Sequence, residues 1–313
     1  MSADAPFLLQ YDASVFLTDG GLETTLVFIE GIPLPCFAAF PLLLDRTGRE
    51  TWERYFAPYL HTAAERGIGF VLDTPTWRAN PDWGEKLGYR AEAIADINRR
   101  AVAFTKSLRK RRARDKAPIL INGVIGPRGD GYRPDILMSA DEAERYHSTQ
   151  IDAFHTVGPD MVSAITMNYV EEAIGIARAA QRRGLPVAIS FTVETDGRLA
   201  SGETLRSAIE RTDRETRASP VYYMINCAHP THFEHVLTTD GPWIERIRGV
   251  RANASSKSHA ELDEAEELDA GNPTELAQQY RSLRHRLRHL SVLGGCCGTT
   301  HRHITAICDA CLA

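Results

Sequence analysis

Residues 161–192 read MVSAITMNYVEEAIGIARAAQRRGLPVAISFT. An apolar run at 161–165 gives way to a stretch at 171–183 whose apolar residues recur at helical spacing. Gly184, Leu185 and Pro186 break that stretch just before a second apolar, β-branched run at 187–192. Strand, helix and strand in this order make a unit whose two strands lie parallel. Working outward, further short runs occur at 15–18, 69–72, 118–122, 221–226, 249–253 and 291–293, which brings the total to eight. Helical patterns fall between them, at 50–66, 91–112, 141–157, 202–217, 232–240 and 273–289. The last of these has Pro273 at its first position behind Asn272 as cap. Eight repeats with no second pattern predict an α/β chain forming a single (β/α)8 TIM barrel, one domain over residues 1–313. An open, doubly wound sheet is the alternative, but no GxGxxG follows the first run.

Composition narrows the function classes. With 43% hydrophobic residues, the chain can fill a core of that size. A net charge of −5 gives no basic field for nucleic acid. The basic cluster Arg109–Arg114 reads as a helix end and solvated linker rather than a phosphate patch. No run approaches the ~18 apolar residues that would span a bilayer. The opening MSADAPFLLQYDASVF lacks the basic start of a secretory leader, so a cytoplasmic location is expected. Six cysteines are too sparse for a disulfide scaffold and read as thiols or metal ligands.

The long irregular stretches, 27–44, 73–88, 126–138 and 254–272, each follow a strand. In a barrel they belong to the carboxyl face, where substrates bind. The eighth run ends there in Leu293-Gly294-Gly295-Cys296-Cys297-Gly298-Thr299-Thr300. Flanking glycines let the backbone turn sharply enough for neighbouring thiols to face one ion. Zinc favours thiolates, and its catalytic sites use three protein ligands with a fourth position open. Cys227 ends the sixth run on the same face, one strand away from the pair. Read from the residues alone, the glycine-rich loop also suits a phosphate, and Cys227 also suits a small buried apolar role. Cys36, Cys308 and Cys311 read as structural, and His229, His232 and His235 as capping or surface residues of the next helix.

Six short motifs carry a resemblance. They are Thr18-Asp19-Gly20-Gly21-Leu22-Glu23-Thr24, Thr76-Trp77, Gly123-Val124-Ile125-Gly126-Pro127, Ser190-Phe191-Thr192, Ile225-Asn226-Cys227 and Gly294-Gly295-Cys296-Cys297-Gly298-Thr299. From Asp19 to about Ile307 the chain resembles the homocysteine S-methyltransferases, of the cobalamin-independent kind related to betaine- and S-methylmethionine-using enzymes. The resemblance implies a catalytic Zn2+ held by Cys227, Cys296 and Cys297. It implies methyl transfer from an onium donor (S-methylmethionine, S-adenosylmethionine or betaine) to a thiol, with homocysteine giving methionine in methionine biosynthesis. Zinc keeps a bound thiol deprotonated, where a free one has a pKa of about 8.5. Asp19 is implied as a holder of the acceptor's amino group, and Gly20, Thr76, Trp77, Asn226 and Asn253 are read as further substrate contacts. Trp77, Trp83 and Tyr132 offer aromatic faces to a cationic donor.

One departure stands out. The family ends its fourth strand with a glutamate that also binds the amino group, and alignment on Val170-Glu171-Glu172-Ala173 puts Ile165 there. Glu194, just past strand five, is the candidate substitute; otherwise the acceptor is a different thiol. A zinc hydrolase on the same scaffold is the alternative chemistry, disfavoured because three thiolates make bound water a poor acid. The expected partners are small molecules, a thiol and a methyl donor, with no nucleic acid and no membrane. The oligomeric state stays open.

Overall fold

A computed structural model describes residues 15–112, 117–238 and 241–312 of the chain. Its eight parallel strands are β1 (Phe16–Leu17), β2 (Gly69–Asp73), β3 (Ile119–Ile125), β4 (Met161–Met167), β5 (Val187–Phe191), β6 (Tyr222–Asn226), β7 (Ile247–Ala252) and β8 (Val292–Gly295). Each pairs with the next, and Phe16 and Leu17 pair with Val292 and Leu293 to close the ring. The predicted (β/α)8 barrel is the observed fold. Arg114, the end of the 232–240 stretch and the first fourteen residues lie outside the described residues.

Alternate side chains of the strands point inward and fill the barrel. Phe16, Val71, Met161, Tyr222, Met224 and Val292 form this inner cluster. Two glycines make it possible. A Cβ on Gly69 would come within 2.3 Å of the Phe16 ring, and one on Gly249 within 2.4 Å of Met224. The outward side chains meet the helices Arg46–Glu65, Ala91–Arg111, Ala140–Val157, Val170–Arg182, Leu205–Thr216, Pro273–Arg286 and His301–Leu312. Phe154 of the third helix is fully buried, and truncating such a ring typically costs about 3–5 kcal/mol. Gly175 lets its helix approach the Ala140–Val157 helix closely, since a Cβ there would lie 2.5 Å from that of Ala143.

Helix ends follow the sequence signals. Asn272 accepts from the amides of Thr274 and Glu275, and Gly184 leaves its helix at φ +65°. The continuous helix expected over 232–240 is not formed. Its place is taken by single turns, Pro230–Phe233, Val236–Thr238 and Pro242–Glu245. The two prolines each begin a turn, and neither turn extends past four residues. The stretch 254–272 is likewise not wholly irregular, because Ser258 and Glu261 form a capping box that opens the short helix His259–Asp263. Among the described residues, no helix is long and apolar enough to cross a membrane.

Candidate functional site

The carboxyl-end tips of the strands surround a cavity of about 420 Å3. The turn after β1, the loops after β2 and β3, the end of β4, Cys227, Arg251 and residues 295–298 all contribute to its wall. Three of the four long loops read from the sequence reach it through Phe28 and Phe37, through Thr74, Pro75, Trp77 and Arg78, and through Asp130 to Tyr132, and the fourth through residues between Leu262 and Asp269.

One corner is made of sulfur. The Sγ atoms of Cys227, Cys296 and Cys297 all lie within 4.8 Å of one another, and Cys227 is 3.8 Å from Cys297. Cys227 and Cys296 are joined as a disulfide, with their Cα atoms 5.3 Å apart. The same three residues are the set expected to act as ligands. Sulfurs gathered this closely can share a bond or share a cation, and the two uses exclude each other because a disulfide sulfur carries no thiolate charge.

The backbone is shaped to bring them together. Cys227 sits at φ +54°, a left-handed conformation that costs a non-glycine residue on the order of 1 kcal/mol. Its amide donates to the Arg251 carbonyl at 3.1 Å, while its own carbonyl accepts from Asn253 Nδ2 at 3.0 Å and from His259 Nε2 at 2.6 Å. On the other side, Gly294 lets the tip of β8 press against β1, where a Cβ would fall 1.8 Å from Thr18 Oγ1. The Tyr132 hydroxyl lies 3.5 Å from Cys227 Sγ and 3.7 Å from Cys297 Sγ, with its ring stacked on His259. Burial pushes the Cys297 thiol up to about 11. A thiol so placed ionises at neutral pH only with a cation beside it.

Beside the sulfurs lies a buried ion cluster that the sequence reading missed, with Arg251 Nε donating to the Gly295 carbonyl at 3.3 Å. Arg251 donates to Asp19 Oδ1 at 2.7 Å, and its other terminal nitrogen pairs with Asp73. Tyr55 donates to the second oxygen of Asp19 at 3.0 Å, and Asn122 donates to Asp73 at 2.7 Å. Burial raises the Asp19 carboxyl to about 7, with Arg251 pulling the other way. Nearby Glu23 is also raised to about 7 by burial, and its carboxylate forms no ion pair among the described residues. Nothing in the local sequence marks Arg251, because its partners are 178 and 232 residues away.

The expected site residues divide into two groups. Asp19, Gly20, Trp77, Cys227, Cys296 and Cys297 line the cavity, as does Ile165 at the tip of β4. A bulge between Ala164 and Met167 turns both Ile165 and Thr166 toward that space. Thr76, Glu194, Asn226 and Asn253 lie behind the wall instead. Thr76 donates to the Val124 carbonyl at 2.7 Å. Asn226 fixes Thr166, which sits at φ +67°, by accepting from its amide at 3.0 Å and donating to its hydroxyl at 2.9 Å. Asn253 holds the Cys227 carbonyl. Glu194, the candidate substitute for the missing strand-four acid, is turned to His259 Nδ1 at 2.9 Å and does not face the cavity. Trp83 stands outside the lining and stacks on Arg78. His229 caps the Pro230–Phe233 turn, as its position suggests, and burial lowers it to about 4.

These motifs at these strand tips are matched by a family model, described as homocysteine S-methyltransferase, over residues 16–311. The chain belongs to the homocysteine S-methyltransferase family. It is a methyltransferase. Among solved structures, it is similar to the homocysteine methyltransferase MmuM from Escherichia coli in its metallated form, at 19% identity and a TM-score of 0.73, covering 96% of this chain and 98% of that one. The oxidised form of MmuM matches with the same identity and TM-score over 97% and 98%. The apo form matches at 17% identity with a TM-score of 0.66 over the same shares. At such identities the agreement speaks for the barrel and not for the substrates.

Proposed function

We propose that this methyltransferase is zinc-dependent and moves a methyl group from an onium donor to a thiol, with homocysteine as the reference acceptor and methionine as its product. The observation that carries this reading is the trio of sulfurs within 4.8 Å, lining one cavity. Its chemistry fits zinc: soft, closely spaced, and supplied by three residues rather than four. Zinc held by Cys227, Cys296 and Cys297 supplies the charge that makes an acceptor thiol nucleophilic at neutral pH without a dedicated base. That MmuM has been obtained metallated is in keeping with this assignment.

The remaining roles fall to the protein itself. Asn253 and His259 fix the carbonyl of Cys227, and so hold its sulfur toward the other two. The Tyr132 phenol and the Trp77 indole put aromatic surface along the cavity, suited to the positive charge of a sulfonium or quaternary ammonium donor. In this reading Asp19 and the DGG turn, which line the cavity, lie toward the acceptor's amino end. A reducing compartment keeps the three sulfurs available as thiolates, which favours a cytoplasmic setting.

A second acceptor class has one observation behind it. Asp19 is already engaged by Arg251 and Tyr55, and Ile165 stands where a second acid is expected. An ammonium therefore finds fewer acceptors here than a pair of free carboxylates offers, which favours thiols with a weaker demand at that end. The test is methyl transfer by zinc-loaded protein across a thiol panel with S-methylmethionine, S-adenosylmethionine and betaine. Zinc content is measured alongside in wild type and Cys297→Ser. Methylated thiol from wild type, with zinc and activity both lost in the variant, is the expected result. No methylated thiol from any donor rejects the reading.

A further inference from the structure

Arg78 follows β2 and forms part of the cavity wall, yet only 6% of its surface is exposed. Its guanidinium is held between two indoles, 4.1 Å from the centroid of Trp77 and 3.8 Å from that of Trp83. Both rings are tethered. Trp77 Nε1 donates to the Ile165 carbonyl at 3.2 Å and Trp83 Nε1 to the Gly129 carbonyl at 3.3 Å. Apolar walls of this kind strip water from a cation, and the exchange is unfavourable unless acceptors replace the water.

Few are supplied. One terminal nitrogen donates to the Gly129 carbonyl at 2.9 Å. The other meets only Asp130 Oδ2 at 3.9 Å, too long for a hydrogen bond, and the buried Nε has no partner. Asp130 is committed elsewhere, since its Oδ1 accepts from the amides of Tyr132 and Arg133 at 2.8 and 3.2 Å. Burial pulls the arginine down to about 10, in keeping with a charge its surroundings do not satisfy. A rigid, desolvated, under-paired guanidinium in a cavity wall is built for a planar anion. The same wall carries Asp19, Asp73 and Glu23, which oppose a multiply charged phosphate more strongly than a single carboxylate.

We propose that Arg78 is the carboxylate anchor of the cavity: it receives the carboxylate of an amino-acid-like substrate and so selects for it. Glu23, lining the same cavity without an ion pair among the described residues, is left for the cation of such a zwitterion. The proposal rests on the methyl-transfer reading for the identity of the substrate, but not for the existence of the anchor. The carboxylate belongs to the acceptor or to the donor, and the two sources are separable.

The experiment measures KM and kcat of zinc-loaded wild type, Arg78→Met and Arg78→Lys in two arms. The acceptor arm compares homocysteine with its decarboxylated analogue aminopropanethiol. The donor arm compares S-methylmethionine with its decarboxylated sulfonium. In one arm, wild type is expected to favour the carboxylated compound. Arg78→Met is then expected to raise its KM by roughly 10- to 100-fold while leaving the analogue within about twofold. Arg78→Lys keeps the charge without the fork and falls between. A merely structural arginine would shift carboxylated and decarboxylated compounds alike, and that result overturns the proposal. So does a wild type with no preference in either arm, which decides the matter even if Arg78→Met fails to fold. Should no thiol be methylated, the functional reading falls, and calorimetric titration with methionine and with methylthiopropylamine still tests Arg78. Tighter binding of methionine by wild type alone upholds the anchor; equal or absent binding of the two compounds rejects it.

Discussion

Replacing Arg251 by methionine isolates the ion cluster on the cavity wall. Methionine keeps much of the side-chain length and removes the charge, leaving Asp19 and Asp73 facing each other at 2% and 7% exposure. Removing one partner of a buried, hydrogen-bonded pair costs about 3–5 kcal/mol. For a chain of 313 residues, unfolding entropy near 2.1 cal/mol/K per residue makes each kcal/mol worth roughly 1.5 °C in Tm, so the melt should fall by about 5–8 °C. The pH dependence gives a sharper check. The Asp19 carboxyl is raised from 3.8 to about 7, and a raised acid contributes stability that is complete below its unfolded pKa and lost as pH climbs through the folded one. Arg251 pulls that folded value down, so without it the loss continues to higher pH. Wild type and variant should therefore run parallel up to about pH 7 and separate above it. We expect the gap in urea-derived stability to widen by about 1–2 kcal/mol between pH 6 and 8.5 for reduced, chelator-treated protein. Adding Asp19→Asn to the variant should recover about half of the loss, because the unpaired charge is then gone. A total cost below about 1 kcal/mol, or a gap that narrows as pH rises, would refute the reasoning.

Three further outcomes follow from other parts of the site. Mild oxidation of metal-free protein should link Cys227 to Cys296 and leave Cys297 open to alkylation, while zinc added first should keep all three sulfurs titratable after chelation; peptide mapping reads both, and unprotected scrambling among all six cysteines counts against the geometry. His259→Ala removes a hydrogen bond to the Cys227 carbonyl and the ring beneath Tyr132. It should weaken zinc by about 10- to 100-fold in competition with a chelator, and an unchanged affinity would deny that support any function. Glu23→Gln should flatten the decline in stability between pH 4.5 and 7, since the wild-type carboxyl is raised over that interval. Partial exposure limits the effect to about 1–2 kcal/mol, and identical slopes in the two proteins would disprove it.

What the sequence discloses depends on how far apart the cooperating residues lie. The strands and most helices are legible because their signals are local, such as the apolar run of 161–165 or the Gly184-Leu185-Pro186 stop. The 232–240 stretch misleads because its helical spacing is real, but the turns Pro230–Phe233 and Val236–Thr238 that form there do not join into one helix. The sulfur trio is readable from type and position, since strand tips six and eight face one another across β7. Arg251 is not readable, because the need for it arises only when closure brings Asp19 and Asp73 to the same point. Glu194 and Asn253 show the opposite failure. Each sits next to the right strand end, yet its polar atoms are drawn to His259 and to the Cys227 carbonyl, hydrogen-bonding demands that arise only in the folded barrel.

The placement of those sulfurs has a mechanical side. One stands just past β6 and two just past β8, with the whole of β7 between them, so they converge only once those three strands have paired. A chain in which β8 has peeled away cannot present all three to anything. Whatever grips the complete set is thereby a latch across β7, and its binding free energy is added to the resistance of β8 to peeling away.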